Sequence, residues 1–291
     1  MWRQTVEEKL KVTLGQWQPL GGGDFAQSWR AVVMEAELSS ALKPGESVFI
    51  KTHANPPPRH FTTEAWGLAW LQEVKVLAVP AVLAVSDEPP FLALQWIEEG
   101  SRIASTEAEL GRALACLHQA PCSHFGRLDE RSTGSLGLPN ASGKSWSQFY
   151  GSQRLLPLAR IAAERNALRR STVQQIETLA SRLDEYGDAE LQPSRLHGDL
   201  WAGNRLVDSD GCSWLIDPAS HGGHREFELA MMRLFGGFGE ECFHAYQEQF
   251  PLADGWQERV SLHQLAPLIV HAIKFGQAYT GPTEEALNRY V

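Results

Sequence analysis

Apolar and polar positions follow two different rhythms along this chain. Up to about residue 97 the signal is that of strands. A strand precedes the run Leu20 to Ser28, and Ala31 to Leu38, with Val32, Val33 and Met34, leads into a turn at Lys43-Pro44-Gly45. Val48-Phe49-Ile50-Lys51 is a short strand, and Ala81 to Val85 and Phe91 to Ile97 form a further pair joined by Ser86-Asp87-Glu88-Pro89-Pro90. Between these pairs, Phe61, Ala65, Leu68 and Leu71 recur at helical spacing, which predicts a helix over Phe61 to Val74. Strands, one helix and strands again suit a five-stranded antiparallel sheet with one packed helix, an α+β arrangement.

Beyond Glu98-Glu99-Gly100 helical periodicity dominates. Helices are predicted over Thr106 to Gln119, Trp146 to Arg170, Thr172 to Tyr186, Glu226 to Phe235 and Arg259 to Tyr279, the last kinked or split at Pro267. Thr106-x-x-Glu109 reads as a capping box. Asn55-Pro56-Pro57-Pro58-Arg59 is a stiff connector, and Arg131 to Lys144 is a polar, glycine-containing loop. The change of character near 96–100 predicts a hinge between two lobes, residues 1–97 and residues 98–291.

Within the second part, one segment carries chemistry. Leu196-His197-Gly198-Asp199-Leu200-Trp201-Ala202-Gly203-Asn204 is followed by Leu215-Ile216-Asp217-Pro218. A kinase needs an acceptor for the substrate hydroxyl proton and two oxygen ligands for magnesium. Asp199 suits the first role, and Asn204 and Asp217 the second, at the spacing H-x-D-x-x-x-x-N. Asp208-Ser209-Asp210-Gly211 is a turn between short apolar stretches. The hairpin it makes would bring Asn204 and Asp217 together around a hard cation, Mg2+.

Lys51 ends a strand and Glu64 lies on the next helix, the two parts of the ion pair with which kinases orient a phosphate-binding lysine. Gly21, Gly22 and Gly23 could admit phosphates to the backbone, although this run is neither G-x-G-x-x-G nor a P-loop, and a plain hairpin turn reads equally well. Gln95, Trp96 and Ile97 would form the hinge that meets adenine.

Composition narrows the setting. The 291 residues carry a formal charge of −9, which argues against general nucleic-acid affinity and suits a cationic or neutral substrate. No apolar run reaches membrane-spanning length and the start has no secretory hydrophobic region, so a cytoplasmic protein without membrane partners is expected. The four cysteines form no C-x-x-C pair and read as reduced thiols. Cys116, His118, Cys122 and His124 lie close enough to raise zinc, but the helix over 106–119 accounts for them better.

These segments, with His224-Arg225-Glu226-Phe227-Glu228-Leu229-Ala230 and Leu234-Phe235-Gly236-Gly237-Phe238, resemble the fructosamine kinase (ketosamine 3-kinase) family over most of the chain. The resemblance implies a bilobal protein-kinase-like fold and ATP-dependent phosphorylation of the third-carbon hydroxyl of a ketosamine, free or on a glycated lysine side chain. The phosphorylated product then releases its amine. Trp201, His224 and Glu226 are candidates for the acceptor side, and Glu228 suits support of the catalytic loop. Alternative readings are a kinase for an aminoglycoside, choline or homoserine, which share the H-G-D core, or a non-catalytic nucleotide-binding protein.

Overall fold

The structure is a computed structural model and describes residues 2–21, 26–186 and 191–291. A short helix α1 (Trp2–Leu10) precedes β1 (Val12–Leu20), β2 (Gln27–Ala36) and β3 (Ser47–Thr52). Helix α2 (His60–Gln72) and strands β4 (Val82–Asp87) and β5 (Pro90–Gln95) follow. All neighbouring strands are antiparallel, in the order β1-β2-β3-β5-β4. The expected five-stranded sheet is therefore present, and α2 replaces the expected helix almost residue for residue. Alternation along β3 divides its side chains between two cores. Val48 and Ile50 pack with Val6 and Leu10 of α1, whereas Phe49 faces the cluster built by α2. Helix α1 had no counterpart among the predicted elements. It is held partly by an aromatic box, in which the Arg3 guanidinium lies 4.6 Å from the Trp17 ring and 4.8 Å from that of Trp29.

The remainder is mainly helical. Helix α3 spans Thr106–Gln119. α4 (Trp146–Tyr150) continues through a π turn (Gly151–Leu155) into α5 (Leu156–Glu164), and α6 covers Arg170–Ala180. Four short strands follow: β6 (Ser194–Leu196), β7 (Arg205–Val207), β8 (Ser213–Leu215) and β9 (His221–Gly223). β6 pairs with β9 and β7 with β8. The chain ends in α7 (Arg225–Phe235), α8 (Glu240–Gln249), α9 (Trp256–Phe275) and α10 (Thr280–Leu287).

Two local expectations need correction. Thr106 does not close a capping box. Its hydroxyl donates to the Gly211 carbonyl at 2.7 Å and accepts the Ile103 N–H, so the turn of the β7–β8 hairpin has recruited it. Helix α9 is not split at Pro267 but runs through it. A proline at 267 cannot donate to the His263 carbonyl. The Tyr150 hydroxyl, buried beneath the helix, lies 3.4 Å from that carbonyl and 2.8 Å from that of Leu262.

The segment joining the sheet to the helices is pinned to the β7–β8 hairpin. The Gly100 N–H donates to the Val207 carbonyl at 2.8 Å, and a Cβ on Gly100 would stand 2.4 Å from the Asp208 carbonyl oxygen. Only glycine allows this approach.

Candidate active site

The β6 strand delivers the chain to His197, which is fully buried. The Ile216 carbonyl can only accept, so the His197 Nε2 that lies 2.9 Å from it carries the proton. Nδ1 then accepts the Asp199 N–H at 3.3 Å. One imidazole thus links the start of the catalytic loop to the residue before Asp217. Glu228, from the first turn of α7, takes the His197 and Gly198 N–H groups on its two carboxylate oxygens, at 3.0 and 2.7 Å. His118 of α3 donates to the same carboxylate at 3.1 Å. Burial alone would raise the Glu228 carboxyl, but the hydrogen bond and charge of His118 hold it below the ordinary range. The support role expected of Glu228 matches this geometry.

The hairpin closes as anticipated. Gly211 adopts φ 81° in the turn, and its N–H donates to the Asp208 carbonyl. Asp208 organises the rest, accepting the N–H groups of Asp210 and Cys212 and the indole N–H of Trp214. At the open end the Ile216 N–H donates to the Asn204 carbonyl at 3.0 Å, which places Asn204 beside the approach to Asp217. Asn204 Nδ2 donates to the Asp199 carbonyl and to its carboxylate Oδ2, at 2.8 and 3.2 Å. Its Oδ1 is thereby left as the group to face a cation. Asp217 has φ 56°, a left-handed conformation that costs a non-glycine residue energy and is common where a side chain must be aimed.

Across the cleft, Lys51 donates to Glu64 Oε1 at 2.9 Å and also contacts Asp217 Oδ1. Burial opposes the ammonium charge, but the two carboxylates outweigh it and hold the lysine above its usual range. Lys51, Glu64, Asp199, Trp201, Asn204 and Asp217 all line one cleft of about 320 Å³. Asp199 makes no ion pair among the described residues. Burial first, and then the charge of Asp217, push its carboxyl up to about 7 against the bond from Asn204. A carboxyl poised near neutrality in a cleft is suited to accepting a proton.

Other expected site residues lie elsewhere. His224 and Glu226 do not line the cleft. His224 caps α7, its Nδ1 accepting the Glu226 N–H at 3.0 Å, and Glu226 is held by Arg259 at 2.7 and 2.8 Å. β9 carries the chain out of the cleft beyond His221, so closeness in sequence misled. Gln95 closes the sheet edge, its N–H donating to the Ala81 carbonyl, and Trp96 lies beneath Arg30 with its indole N–H on Glu98. Neither these two nor Ile97 lines the cleft. Gly21 is exposed, while Gly22 and Gly23 fall outside the described residues. The four cysteines are unpaired, and His118 is engaged with Tyr246 and Glu228, so it does not join Cys122 and His124.

One wall of the cleft was not anticipated at all. Ser132 to Leu138 contribute to it, together with Arg154, His221 and the α9 residues His271, Lys274 and Phe275. The loop is anchored at Arg127, which is 1% exposed. This guanidinium grips both oxygens of Asp129 and donates to the Ser220 carbonyl at 3.0 Å. It also lies 4.0 Å from the ring of Trp66 on α2. The contacts with Ser220 and Trp66 are long-range and have no local sequence signature.

An antiparallel sheet with a Lys–Glu pair, set against a loop and hairpin bearing Asp199, Asn204 and Asp217, defines a kinase-like phosphotransferase. The family description "fructosamine kinase" matches residues 2–291. A probable ketoamine kinase of Enterococcus faecium is 32% identical over 288 residues, covering 99% of each chain. A chloroplastic protein-ribulosamine 3-kinase of Arabidopsis thaliana is 30% identical over 84% of this chain and 76% of its own. The crystal structure of a Thermobifida fusca protein, provisionally named a fructosamine-3-kinase, superposes with a TM-score of 0.87. It is 34% identical and covers 99% of this chain and 97% of its own. The chain belongs to the fructosamine kinase family, and it is an ATP-dependent phosphotransferase acting on an alcohol.

Proposed function

We propose that the protein phosphorylates the third-carbon hydroxyl of ketosamines, small or carried on glycated lysine side chains, and so promotes release of the amine. The observation that carries this reading is Asp199, which makes no ion pair among the described residues and shares one cleft with Lys51, Asn204 and Asp217, in a chain whose relatives are named for ketoamine and ribulosamine phosphorylation.

In this reading residues 1–97 hold the nucleotide and residues 98–291 the acceptor. Lys51 binds ATP phosphate oxygens as a point charge, kept in place by Glu64. Asp199 accepts the hydroxyl proton as the oxygen attacks the γ-phosphorus and the bond to ADP breaks. Trp201, 41% exposed at the cleft, is set to meet the acceptor. The oxygens of Asn204 and Asp217 are the hard donors that Mg2+ selects, and a half-exposed Asp217 carboxylate with a free Asn204 Oδ1 fits that ion. Bound there, Mg2+ would neutralise phosphate charge. Four unpaired cysteines fit a reducing cytoplasm. No helix among the described residues is long and apolar enough to cross a membrane.

The test is turnover with magnesium-ATP over a panel of acceptors: ribulosamine, fructosamine, an aminoglycoside, choline and homoserine. Phosphorylation of the ketosamines with kcat/KM well above the others is expected. Activity confined to another alcohol would overturn the acceptor assignment while leaving the phosphotransferase intact. No turnover on any acceptor would overturn the catalytic reading.

A further inference from the structure

The cleft is lined by two buried polar side chains that the transfer chemistry does not use. His221, at the start of β9, is 1% exposed and lines the cleft. Its Nδ1 lies 2.9 Å from the Ala219 carbonyl. That carbonyl can only accept, so Nδ1 carries the proton and Nε2 offers a lone pair. Nε2 is buried and has no hydrogen-bond partner. Burial, and then the charge of Arg154, keep the ring neutral. The ring also sits against the catalytic loop, since a Cβ on Gly198 would stand 3.0 Å from its Nδ1.

Arg154 is the complementary group. It too is buried and lines the cleft. Its guanidinium donates to the carbonyls of Pro139 and Gln153 and to Asn140 Oδ1. These bonds use three of its five N–H groups. No carboxylate among the described residues pairs with it. The guanidinium also lies 4.7 Å from the Phe149 ring. A buried unpaired acceptor and a buried cation met by neutral oxygens and one ring, with no carboxylate, are both costly arrangements for a protein to hold. Both costs fall if a ligand completes the hydrogen bonds.

A hydroxyl-rich chain supplies what is missing. A hydroxyl can donate to His221 Nε2, and a hydroxyl oxygen can accept from Arg154. The lining residues also differ in access. Trp201 and Phe275 are 41% and 49% exposed, so a bulky amine substituent can leave past them. The free end of the sugar is left to face the buried pair.

We propose that His221 and Arg154 form a subsite for the sugar hydroxyls beyond the third carbon, and so set the preference for sugar length. This rests on the ketosamine reading above. Arg154 also tethers the loop at Pro139 and Asn140, so its variants alone would confuse binding with folding. His221 separates the two. His221→Asn can keep the bond to the Ala219 carbonyl while removing the acceptor at Nε2, whereas His221→Gln can return an acceptor near that point.

The experiment compares KM and kcat for a five-carbon ribulosamine and for the three-carbon ketosamine made from glyceraldehyde. The latter has no hydroxyl beyond the third carbon. Loss of one buried hydrogen bond is worth about tenfold. His221→Asn should raise the ribulosamine KM about tenfold, shift kcat less, and collapse the preference for the longer acceptor. His221→Gln should recover part of it, and Arg154→Gln should act in the same direction as His221→Asn. An undiminished length preference in His221→Asn would overturn the proposal. Equal losses on both acceptors would also overturn it, because they mark a general structural defect. A wild-type enzyme inactive on both ketosamines but active on another alcohol would instead sink the acceptor assignment beneath it.

Discussion

Glu228 accepts the Gly198 N–H at 2.7 Å, and with its other oxygen the N–H of His197. The loop that presents Asp199 is therefore held through its backbone by a carboxylate on another helix. Glu228→Gln would keep the shape but set an amide N–H against one backbone donor. Charged hydrogen bonds of this kind contribute about 2–3 kcal/mol. The variant should melt lower by roughly 5 °C, and kcat should fall more than the KM for ATP rises. An unchanged melting temperature would show that the carboxylate charge is dispensable.

Asp199 gives a pH signature. Its carboxyl, raised to about 7, must be ionised to accept a proton. In the free enzyme kcat/KM should fall as pH drops below neutrality. Asp199→Asn should lose about 10²–10⁴-fold in kcat, with a residual rate that no longer follows that ionisation. The stability effect has the opposite sense. A carboxyl raised by folding disfavours the folded state above its unfolded pKa, so Asp199→Asn should melt higher than wild type at pH 8. A wild-type rate in Asp199→Asn would make the residue structural.

Asp217 is the sharper probe of the cation. Asp217→Ala removes one of the two oxygen donors proposed for magnesium and also a partner of Lys51. Turnover should disappear at ordinary magnesium concentrations while circular dichroism stays that of the wild type. Isothermal titration should show weakened magnesium-ATP binding. Normal magnesium-dependent turnover would remove Asp217 from the site.

Glu226 makes a stability prediction away from the cleft. Burial would raise its carboxyl, but His263, 3.5 Å away, and its two bonds from Arg259 hold it at about 2, below its ordinary 4.5. A depressed carboxyl contributes stability that is complete above its unfolded pKa and is lost as pH falls toward its folded value. Wild type should therefore lose on the order of 3 kcal/mol between about pH 4.5 and pH 2 through this group. Glu226→Gln should be less stable at pH 7, and the gap should close across that window in urea titrations. A gap independent of pH would refute the assignment.

What could be read from the chain was what lies close together along it. Asp199, Asn204 and Asp217 fall within one loop and one hairpin, so their spacing already contains their geometry. Lys51 and Glu64 are legible for a related reason, a strand end followed by a helix. His224 and Glu226 show the limit. They follow Asp217 within ten residues, yet β9 turns them into a buried cluster with Arg259 and His263. The Ser132–Leu138 wall was illegible because irregular side-chain-to-backbone bonds of Asn140 and Arg154 shape it, and Arg127 docks it on Ser220 and Trp66, far along the chain. Nothing in the loop's own composition reports them. Helix α1 was missed because its burial depends on Trp17 and Trp29 from two strands.

The single guanidinium of Arg127 touches three parts of the machine: the start of the cleft-lining loop at Asp129, the segment after Asp217 and the helix carrying Glu64. Shared fastening of this kind removes independent degrees of freedom. If the acceptor loop swings outward, it must break or carry with it the stacking on Trp66 and the bond to the Ser220 carbonyl. Tightening at one wall then narrows the thermal wandering of the others, so the reacting groups are brought into register as an ensemble of one body rather than piece by piece.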